Sequence, residues 1–256
     1  MNPRQVQEYL ARINWRDAVQ INPDTLSRLQ LSHLQSVPFE NLSIHLGESI
    51  GLEIESLCNK IVTRKRGGFC YEMNGLFCEL LNQLGFSTCM LSAQVARSDG
   101  TYSAPYDHMV LLVQLEEPWL VDVGFGDSFR LPLKLHETKV QSEAGRKYLL
   151  EPYDGGYLLK QNILDQGWES QFKFSLEPHP LSAFEGMCHF HQTSTASHFR
   201  KSKLATIATE NGRTTLSDLT LIRSGLDGSR TEVLLPNEHD YNLALASEFG
   251  ITLARE

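Results

Sequence analysis

The spacing of apolar residues changes abruptly at Gly85, and this change constrains the fold of the 256-residue chain more than any other feature. Before Gly85, apolar residues recur every three or four positions, which is typical of helices. After Gly85, short segments rich in apolar and β-branched residues are separated by Gly, Pro, Asp and Ser, which is typical of antiparallel strands. We therefore expect an α+β chain with a helical part, a barrel or curled sheet, and a small mixed C-terminal part.

Four helices are predicted before Gly85. Asn2 and Asn22 are each followed by proline, so each is expected to cap a helix whose first residue is that proline. A third helix is predicted over residues 55–65. The fourth begins at Cys70 and ends where Gly85 can adopt the left-handed conformation. Its apolar stripe comprises Met73, Leu76, Phe77, Leu80, Leu81 and Leu84.

The remaining two thirds of the chain are predicted to be mostly strands. A small C-terminal sheet is expected within residues 195–209 and 214–223, followed by a helix that Asn237 caps and Gly250 ends. The strands of the larger sheet are predicted in residues 87–97, 108–115, 119–125, 147–153 and 156–162.

Charge and cysteine content exclude several classes of protein. A net charge of −8 disfavours general binding of nucleic acid or an anionic membrane. Apolar runs are far shorter than the roughly 20 residues that span a bilayer, and the N-terminus does not resemble a signal peptide. The five cysteines form no CxxC pair, so we expect a reduced, cytoplasmic protein without a metal site.

Cys70 is the leading candidate for a nucleophile. It lies in the first turn of its helix, where the helix dipole and the nearby Arg66 would lower the pKa of the thiol. Gly67 and Gly68 allow a tight turn in which backbone N–H groups can serve an oxyanion. The alternative is an ordinary buried cysteine that follows a glycine turn.

His108 and Asp122 are expected to complete the site. They lie on consecutive strands joined by a short connection, and a carboxylate in an apolar strand needs a partner such as an imidazole. A two-residue turn at Glu116 and Glu117 would pair residue 122 with residue 111, which faces the opposite way from His108. An odd-length loop, a bulge, or a His108 that lies just ahead of the regular strand would correct this, and the sequence does not decide among them.

With these residues in place, the chain resembles the arylamine N-acetyltransferases. The resemblance covers nearly the whole chain and rests on VPFENL (37–42), RGGFC (66–70), HMVLLV (108–113) and VDVGFG (121–126). TSTASHF (193–199) matches more loosely, because it lacks the proline that the family commonly has in this segment.

The resemblance implies three domains around a papain-like cysteine catalytic core. We expect an N-terminal helical bundle over residues 1–86 that carries the nucleophile. An antiparallel β-barrel over residues 87–188 would carry the histidine and the aspartate. A connecting segment and an α/β lid would occupy residues 189–256.

The resemblance also implies roles for particular residues. The triad falls on Cys70, His108 and Asp122, and Glu40 faces Arg66 in support of the site. Residues predicted to contact coenzyme A are Gly124, Phe125, Gly126, Ser197 and Phe199. Residues predicted to line the acceptor pocket are Phe39, Phe69 and Phe125.

The expected activity is acetyl transfer from acetyl-CoA to arylamines and hydrazines by a ping-pong mechanism through an acetyl-cysteine. Oxygen acetylation of N-hydroxyarylamines is a further expectation, and such enzymes serve xenobiotic metabolism. The same triad would also suit a thiol hydrolase or protease, or an amide synthase of secondary metabolism. The partners expected are therefore small molecules, and the oligomeric state is not readable from the sequence.

Overall fold

The computed structural model describes residues 1–143 and 145–253 of the chain. The predicted C-terminal domain, residues 189–256, therefore ends three residues outside the described part. Among the helices of the described residues, none combines the length and the apolar character that a membrane crossing needs.

The helix caps predicted from the sequence are confirmed. Helix α1 spans Pro3–Arg12 and helix α2 spans Pro23–Ser36. The Asn2 side chain accepts a hydrogen bond from the N–H of Gln5, and Asn22 accepts one from Thr25. Local chemistry decides these boundaries, because an Asn side chain satisfies an N–H group that the helix leaves without a partner.

The third predicted helix is irregular, and the fourth matches the prediction. A short helix α3 (Leu42–His45) precedes α4 (Ile54–Cys58), which continues as a π-helical turn over Asn59–Thr63. Helix α5 spans Cys70–Gln83, and Gly85 follows it with a φ of +98°. The first turns of α5 are buried on all sides rather than on one stripe, because helices and sheet both pack around them.

An antiparallel sheet of eight strands is curled into a nearly closed barrel. The spatial order is β5-β4-β3-β2-β9-β8-β7-β6, and the strand β9 was not predicted from the sequence. The Gln141 side chain exchanges two hydrogen bonds with the Lys134 backbone, which links the two edge strands. The strands are β2 (Ser87–Val95), β3 (His108–Gln114), β4 (Pro118–Val121), β5 (Leu133–Lys134), β6 (Gln141–Glu143), β7 (Arg146–Tyr153), β8 (Gly156–Ile163) and β9 (Glu169–His179).

The register of the β3–β4 hairpin explains why His108 and Asp122 face the same side of the sheet. Leu111 pairs with Val121 and Gln114 with Pro118, so three residues, 115–117, form the loop. Of the three corrections left open by the sequence, the odd-length loop is the one found. It moves the residue opposite position 122 from 111 to 110, which shares the facing of residue 108.

A second, five-stranded sheet lies in the C-terminal part of the chain and takes in one short strand from the helical part. Its order is β1-β10-β11-β12-β13, so the two-residue strand β1 (Phe39–Glu40) joins strands far along the chain. The predicted terminal helix is α7 (Glu238–Phe249), capped by Asn237 and ended by Gly250. The other strands are β10 (Leu204–Thr209), β11 (Gly212–Ser217), β12 (Thr220–Gly225) and β13 (Arg230–Leu234).

The hydrophobic core of the described residues consists of three clusters, centred on the helical part, the barrel and the C-terminal part. The first predicted domain boundary, at residue 86, falls between α5 and β2. The second, at residue 188, falls within a helix that the sequence did not predict, α6 (Glu185–Thr193). The exact division into domains stays a prediction.

Candidate active site

The turn that leads into Cys70 requires glycine at two positions. A Cβ at Gly67 would lie 1.8 Å from the carbonyl oxygen of Pro38, and a Cβ at Gly68 would lie 2.7 Å from the Cβ of Glu72. The Glu40 N–H also donates to the Gly68 carbonyl at 2.9 Å. The VPFENL and RGGFC segments are therefore packed backbone to backbone, which places Cys70 rigidly at the start of α5.

A buried ion pair supports this turn. The Arg66 guanidinium contacts Glu40 Oε1 through Nε and Nη2, both at 2.9 Å, and both residues are almost fully buried. The other Glu40 oxygen accepts the N–H of Leu42 at 2.7 Å. Because Glu40 already neutralises it, Arg66 holds the two segments together rather than adding free positive charge beside Cys70.

The N-terminus of α5 is capped by Glu72, a residue of its own first turn. Glu72 Oε2 accepts the N–H of Phe69 at 3.1 Å, and its Oε1 receives the Lys60 ammonium at 2.7 Å. A carboxylate in the first turn satisfies a free N–H and complements the helix dipole. This carboxylate therefore fixes the backbone on both sides of Cys70.

His108 and Asp122 are directly bonded. His108 begins β3, Asp122 follows the last residue of β4, and the His108 Nε2 lies 2.7 Å from Asp122 Oδ2. Both side chains are buried, so the pair is shielded from solvent. An imidazole held this way has a fixed tautomer and a fixed ring orientation.

Asn74 belongs to the same network, and the sequence analysis missed it. It lies one turn after Cys70, and its Nδ2 donates to Asp122 Oδ1 at 2.8 Å and to the Met109 carbonyl at 2.7 Å. Its Oδ1 accepts the N–H of Val123 at 2.9 Å. The available signal was an asparagine inside an otherwise apolar helix stretch, where such a residue is unfavourable unless it is bonded.

Gly124 brings the barrel into contact with the first turn of α5. A Cβ at this position would lie 2.7 Å from the Cα of Cys70 and 2.8 Å from Asn74 Nδ2. The Gly124 N–H also donates to Asp122 Oδ1 at 2.7 Å. The room that this glycine leaves is therefore filled by α5 itself, which sets the Asp122 segment against Cys70.

Burial raises the pKa of the Cys70 thiol well above its ordinary value, and the carboxylates of Asp107 and Asp122 raise it further. This direction is opposite to the one expected from the helix dipole and Arg66. The physical reason is that Cys70 is only 3% exposed, and a lone thiolate loses its hydration there. A thiolate at this position therefore needs a cation formed beside it.

The three aromatic residues predicted to line the pocket differ in their surroundings. Phe125 is half-buried and lies against His108, with ring centroids 5.1 Å apart. Phe39 and Phe69 are buried and both contact the ring of Phe199. Of the three, Phe125 has the exposure that a ligand contact needs.

The TSTASHF segment lies against this aromatic cluster. Ser197 is buried, and its Oγ accepts the N–H of Phe199 while contacting His191 Nδ1 at 3.1 Å. Gly126 has a φ of +94°, a conformation that other residues rarely adopt. In the following basic run, Lys203 pairs with Glu238 at 2.6 Å and Arg200 donates to the carbonyl of Thr193. The contacts of Gly126, Ser197 and Phe199 with coenzyme A stay predictions.

Within residues 1–143 and 145–253, no three His, Cys, Asp or Glu side chains are arranged to hold a metal ion.

The fold and the family comparisons define a class of enzyme. A family described as N-acetyltransferase matches residues 22–256. An arylamine N-acetyltransferase from Gallus gallus, pineal gland isozyme NAT-10, is 32% identical over 98% of this chain and 95% of its own. The arylamine N-acetyltransferase of Escherichia coli is 39% identical over 67% of this chain, a match that spans 61% of the bacterial protein's length.

Solved structures show the same papain-like fold. The arylamine N-acetyltransferase of Mycobacterium marinum superimposes with a TM-score of 0.89 and 32% identity, over 96% of this chain and 92% of that one. The Salmonella typhimurium enzyme gives a TM-score of 0.92 and 27% identity, over 100% and 93%. A second Mycobacterium marinum structure contains CoA and matches with a TM-score of 0.89 at 31% identity, over 96% and 92%. The chain belongs to the arylamine N-acetyltransferase family, and it is an acyltransferase.

Proposed function

We propose that this protein is an acetyl-CoA-dependent N-acetyltransferase for arylamines and hydrazines, and that Cys70, His108 and Asp122 are its catalytic triad. The observation that carries the proposal is the 2.7 Å bond from His108 to Asp122, two residues before the glycine that packs on Cys70. Membership of the family supports the reaction class, and the CoA-bound relative supports the donor.

In the first half-reaction, the Cys70 proton moves to His108 as the sulfur attacks the thioester carbonyl of acetyl-CoA. Asp122 holds His108 through Nε2, so Nδ1 is the nitrogen that takes the proton. Burial makes a lone thiolate costly, and an imidazolium formed at the same time offsets that cost. Coenzyme A leaves as a thiolate that takes the proton from His108, and acetyl-Cys70 remains.

In the second half-reaction, the amine nitrogen attacks the acetyl carbonyl of Cys70. The nitrogen loses a proton to His108, which returns it to the departing Cys70 sulfur. Asp122 stabilises the imidazolium in both halves. A thioester intermediate keeps the acetyl group activated for amide formation, and the same intermediate can acetylate the oxygen of an N-hydroxyarylamine.

Water must be excluded from acetyl-Cys70, or the enzyme becomes a thioesterase. Phe125 lies beside His108 and Phe172, and from there it would cover the acetyl group and stack on a flat acceptor. Phe39 and Phe69 would shape the rest of the pocket, and Gly126, Ser197 and Phe199 would contact coenzyme A. All five cysteines are free, which supports a reducing, cytoplasmic location.

The test is incubation with acetyl-CoA alone, followed by mass spectrometry of the Cys70 peptide. One acetyl group should appear on wild-type protein and on Cys188→Ser, a matched variant of another buried cysteine, but not on Cys70→Ala. CoA release should then accelerate when an aniline, a hydrazide or an N-hydroxyarylamine is added. Continued release beyond one CoA per enzyme that an acceptor does not accelerate would instead identify a hydrolase, and an unmodified Cys70 in folded protein would refute the proposal.

A further inference from the structure

A second imidazole–carboxylate pair lies close to the nucleophile turn, and the proposed mechanism does not use it. Asp107 immediately precedes His108, and its Oδ1 lies 3.2 Å from the Nε2 of His191 on helix α6. The His191 side chain is 2% exposed and that of Asp107 is 15% exposed. The pair therefore joins the segment that leads into His108 to a helix of the connecting region.

The orientation of His191 is fixed by its other contacts. Its Nδ1 lies 3.1 Å from Ser197 Oγ, and its ring packs on Tyr71 and Phe199. Nε2 is thus the nitrogen that faces Asp107. Nε2 approaches Oδ1 without a well-aligned hydrogen bond among the described residues, so the contact becomes an ion pair only when His191 is protonated.

Tyr71 connects the same segment to the nucleophile. It follows Cys70 in the chain, and its hydroxyl lies within hydrogen-bond distance of the carbonyls of Tyr106 and Asp107, at 2.7 and 3.0 Å. Tyr106 has a φ of +65°, so the backbone just before His108 adopts a conformation that needs external support. The Tyr71 hydroxyl holds the backbone carbonyls of this segment, and His191 holds the Asp107 side chain.

The charge on Asp107 bears directly on Cys70. After burial, this carboxylate is the largest cause of the raised pKa of the Cys70 thiol, ahead of Asp122 and Cys188. Burial raises the pKa of the Asp107 carboxyl, but the nearby imidazoles of His191 and His198 and the Ser103 hydroxyl lower it overall. Burial lowers the pKa of His198 itself. Around Cys70 itself, Asp122 is paired with His108.

We propose that His191 and Asp107 form a positioning pair for the Cys70 chemistry. A proton on His191 would neutralise the Asp107 carboxylate, whose charge acts on the Cys70 thiol, and the pair holds the backbone that leads into His108. This proposal rests on the proposed function only in taking Cys70 as the reactive thiol.

The test measures alkylation of Cys70 by iodoacetamide as a function of pH, without acetyl-CoA, with the Cys70 peptide quantified by mass spectrometry. His191→Gln keeps a donor near the Nε2 position but cannot carry a charge. We expect its alkylation midpoint to rise by about one pH unit, with about tenfold slower alkylation at pH 7. Asp107→Asn should move the midpoint in the opposite direction, and the double variant should return towards wild type.

His189→Gln is the matched control, because His189 is an exposed residue of the same helix, and it should leave the midpoint unchanged. Circular dichroism checks that each variant is folded. A purely structural role for the pair would slow both single variants alike, so shifts of the same sign, or no shift in folded His191→Gln, would overturn the proposal. Opposite shifts in a protein that fails to transfer acetyl groups would refute the proposed function and leave this pair standing.

Discussion

His33 makes the stability of the helical part depend on pH. Its ring lies in helix α2 between the rings of Tyr9 and Phe77, at 5.8 and 5.1 Å, and is fully buried. Among the residues that the structure describes, neither ring nitrogen has a hydrogen-bond partner. Burial lowers the pKa of His33 from 6.5 to about 3, and the nearby charge of Arg12 acts in the same direction.

The expected loss of stability follows from this lowered pKa. The unfolded chain binds a proton at His33 below about pH 6.5, whereas the folded chain does so only near pH 3. The stability is therefore present above the unfolded pKa and is lost as the pH falls through it. Each pH unit in this window costs about 1.4 kcal/mol, so a change from pH 7 to pH 5 should cost about 2 kcal/mol.

Urea denaturation of wild type and His33→Leu at pH 7 and pH 5 isolates this effect. Other groups titrate in both proteins, so the difference between the two pH-dependent losses belongs to His33. We expect wild type to lose about 2 kcal/mol more free energy of unfolding than the variant. His189→Leu, at an exposed position, should lose as much as wild type.

The reasoning would be refuted if wild type and His33→Leu lost equal stability between the two pH values. That outcome would mean that His33 is protonated in the folded protein, or that a partner compensates for its burial. The variant should also be at least as stable as wild type at pH 7, because an apolar side chain of similar size removes two unsatisfied nitrogen atoms.

Three further predictions concern the site. Asp122→Asn should slow acetylation of Cys70 by about a thousandfold or more, because the imidazole loses its charge partner. Quenched time courses read by mass spectrometry measure the rate, and circular dichroism should be unchanged. Near-normal rates would exclude Asp122 from the proposed triad. Asn74→Leu should lower both kcat and the melting temperature, since two backbone groups and a carboxylate lose a partner, each worth about 1–3 kcal/mol. Gly67→Ala should destabilise the protein by about 1–3 kcal/mol or more in thermal melts, because its Cβ would meet the Pro38 carbonyl at 1.8 Å. Gly186→Ala, whose Cβ would have no atom within 4 Å, is its control and should not be destabilised.

Elements with local signals were predicted well from the sequence. The Asn-Pro starts of α1 and α2, the left-handed Gly85 after α5, and the Asn237 cap of α7 each depend on a few neighbouring residues. The strands with strong apolar runs were also predicted. These features are readable because the chemistry that forms them lies within one turn or one strand of the chain.

Elements that depend on distant partners were missed. Strand β9 pairs with β2 and β8, and its apolar residues Phe172 and Phe174 are interrupted by polar ones. The two-residue strand β1 is defined by its pairing with β10, far along the chain. Helix α6 carries His191, whose partner Asp107 lies more than eighty residues earlier.

The sequence by itself identified the residues of the proposed site and their order, because Cys70, His108 and Asp122 fall at signals that local pattern and family resemblance both pick out. Only the tertiary structure decided how they are held. The three-residue loop of the β3–β4 hairpin turned Asp122 towards His108, and Asn74 tied that carboxylate to helix α5. The tertiary structure also reversed the expected shift of the Cys70 pKa, from lowered to raised. Burial and neighbouring carboxylates cause this shift, and both depend on which surfaces pack together in the folded chain rather than on any short segment.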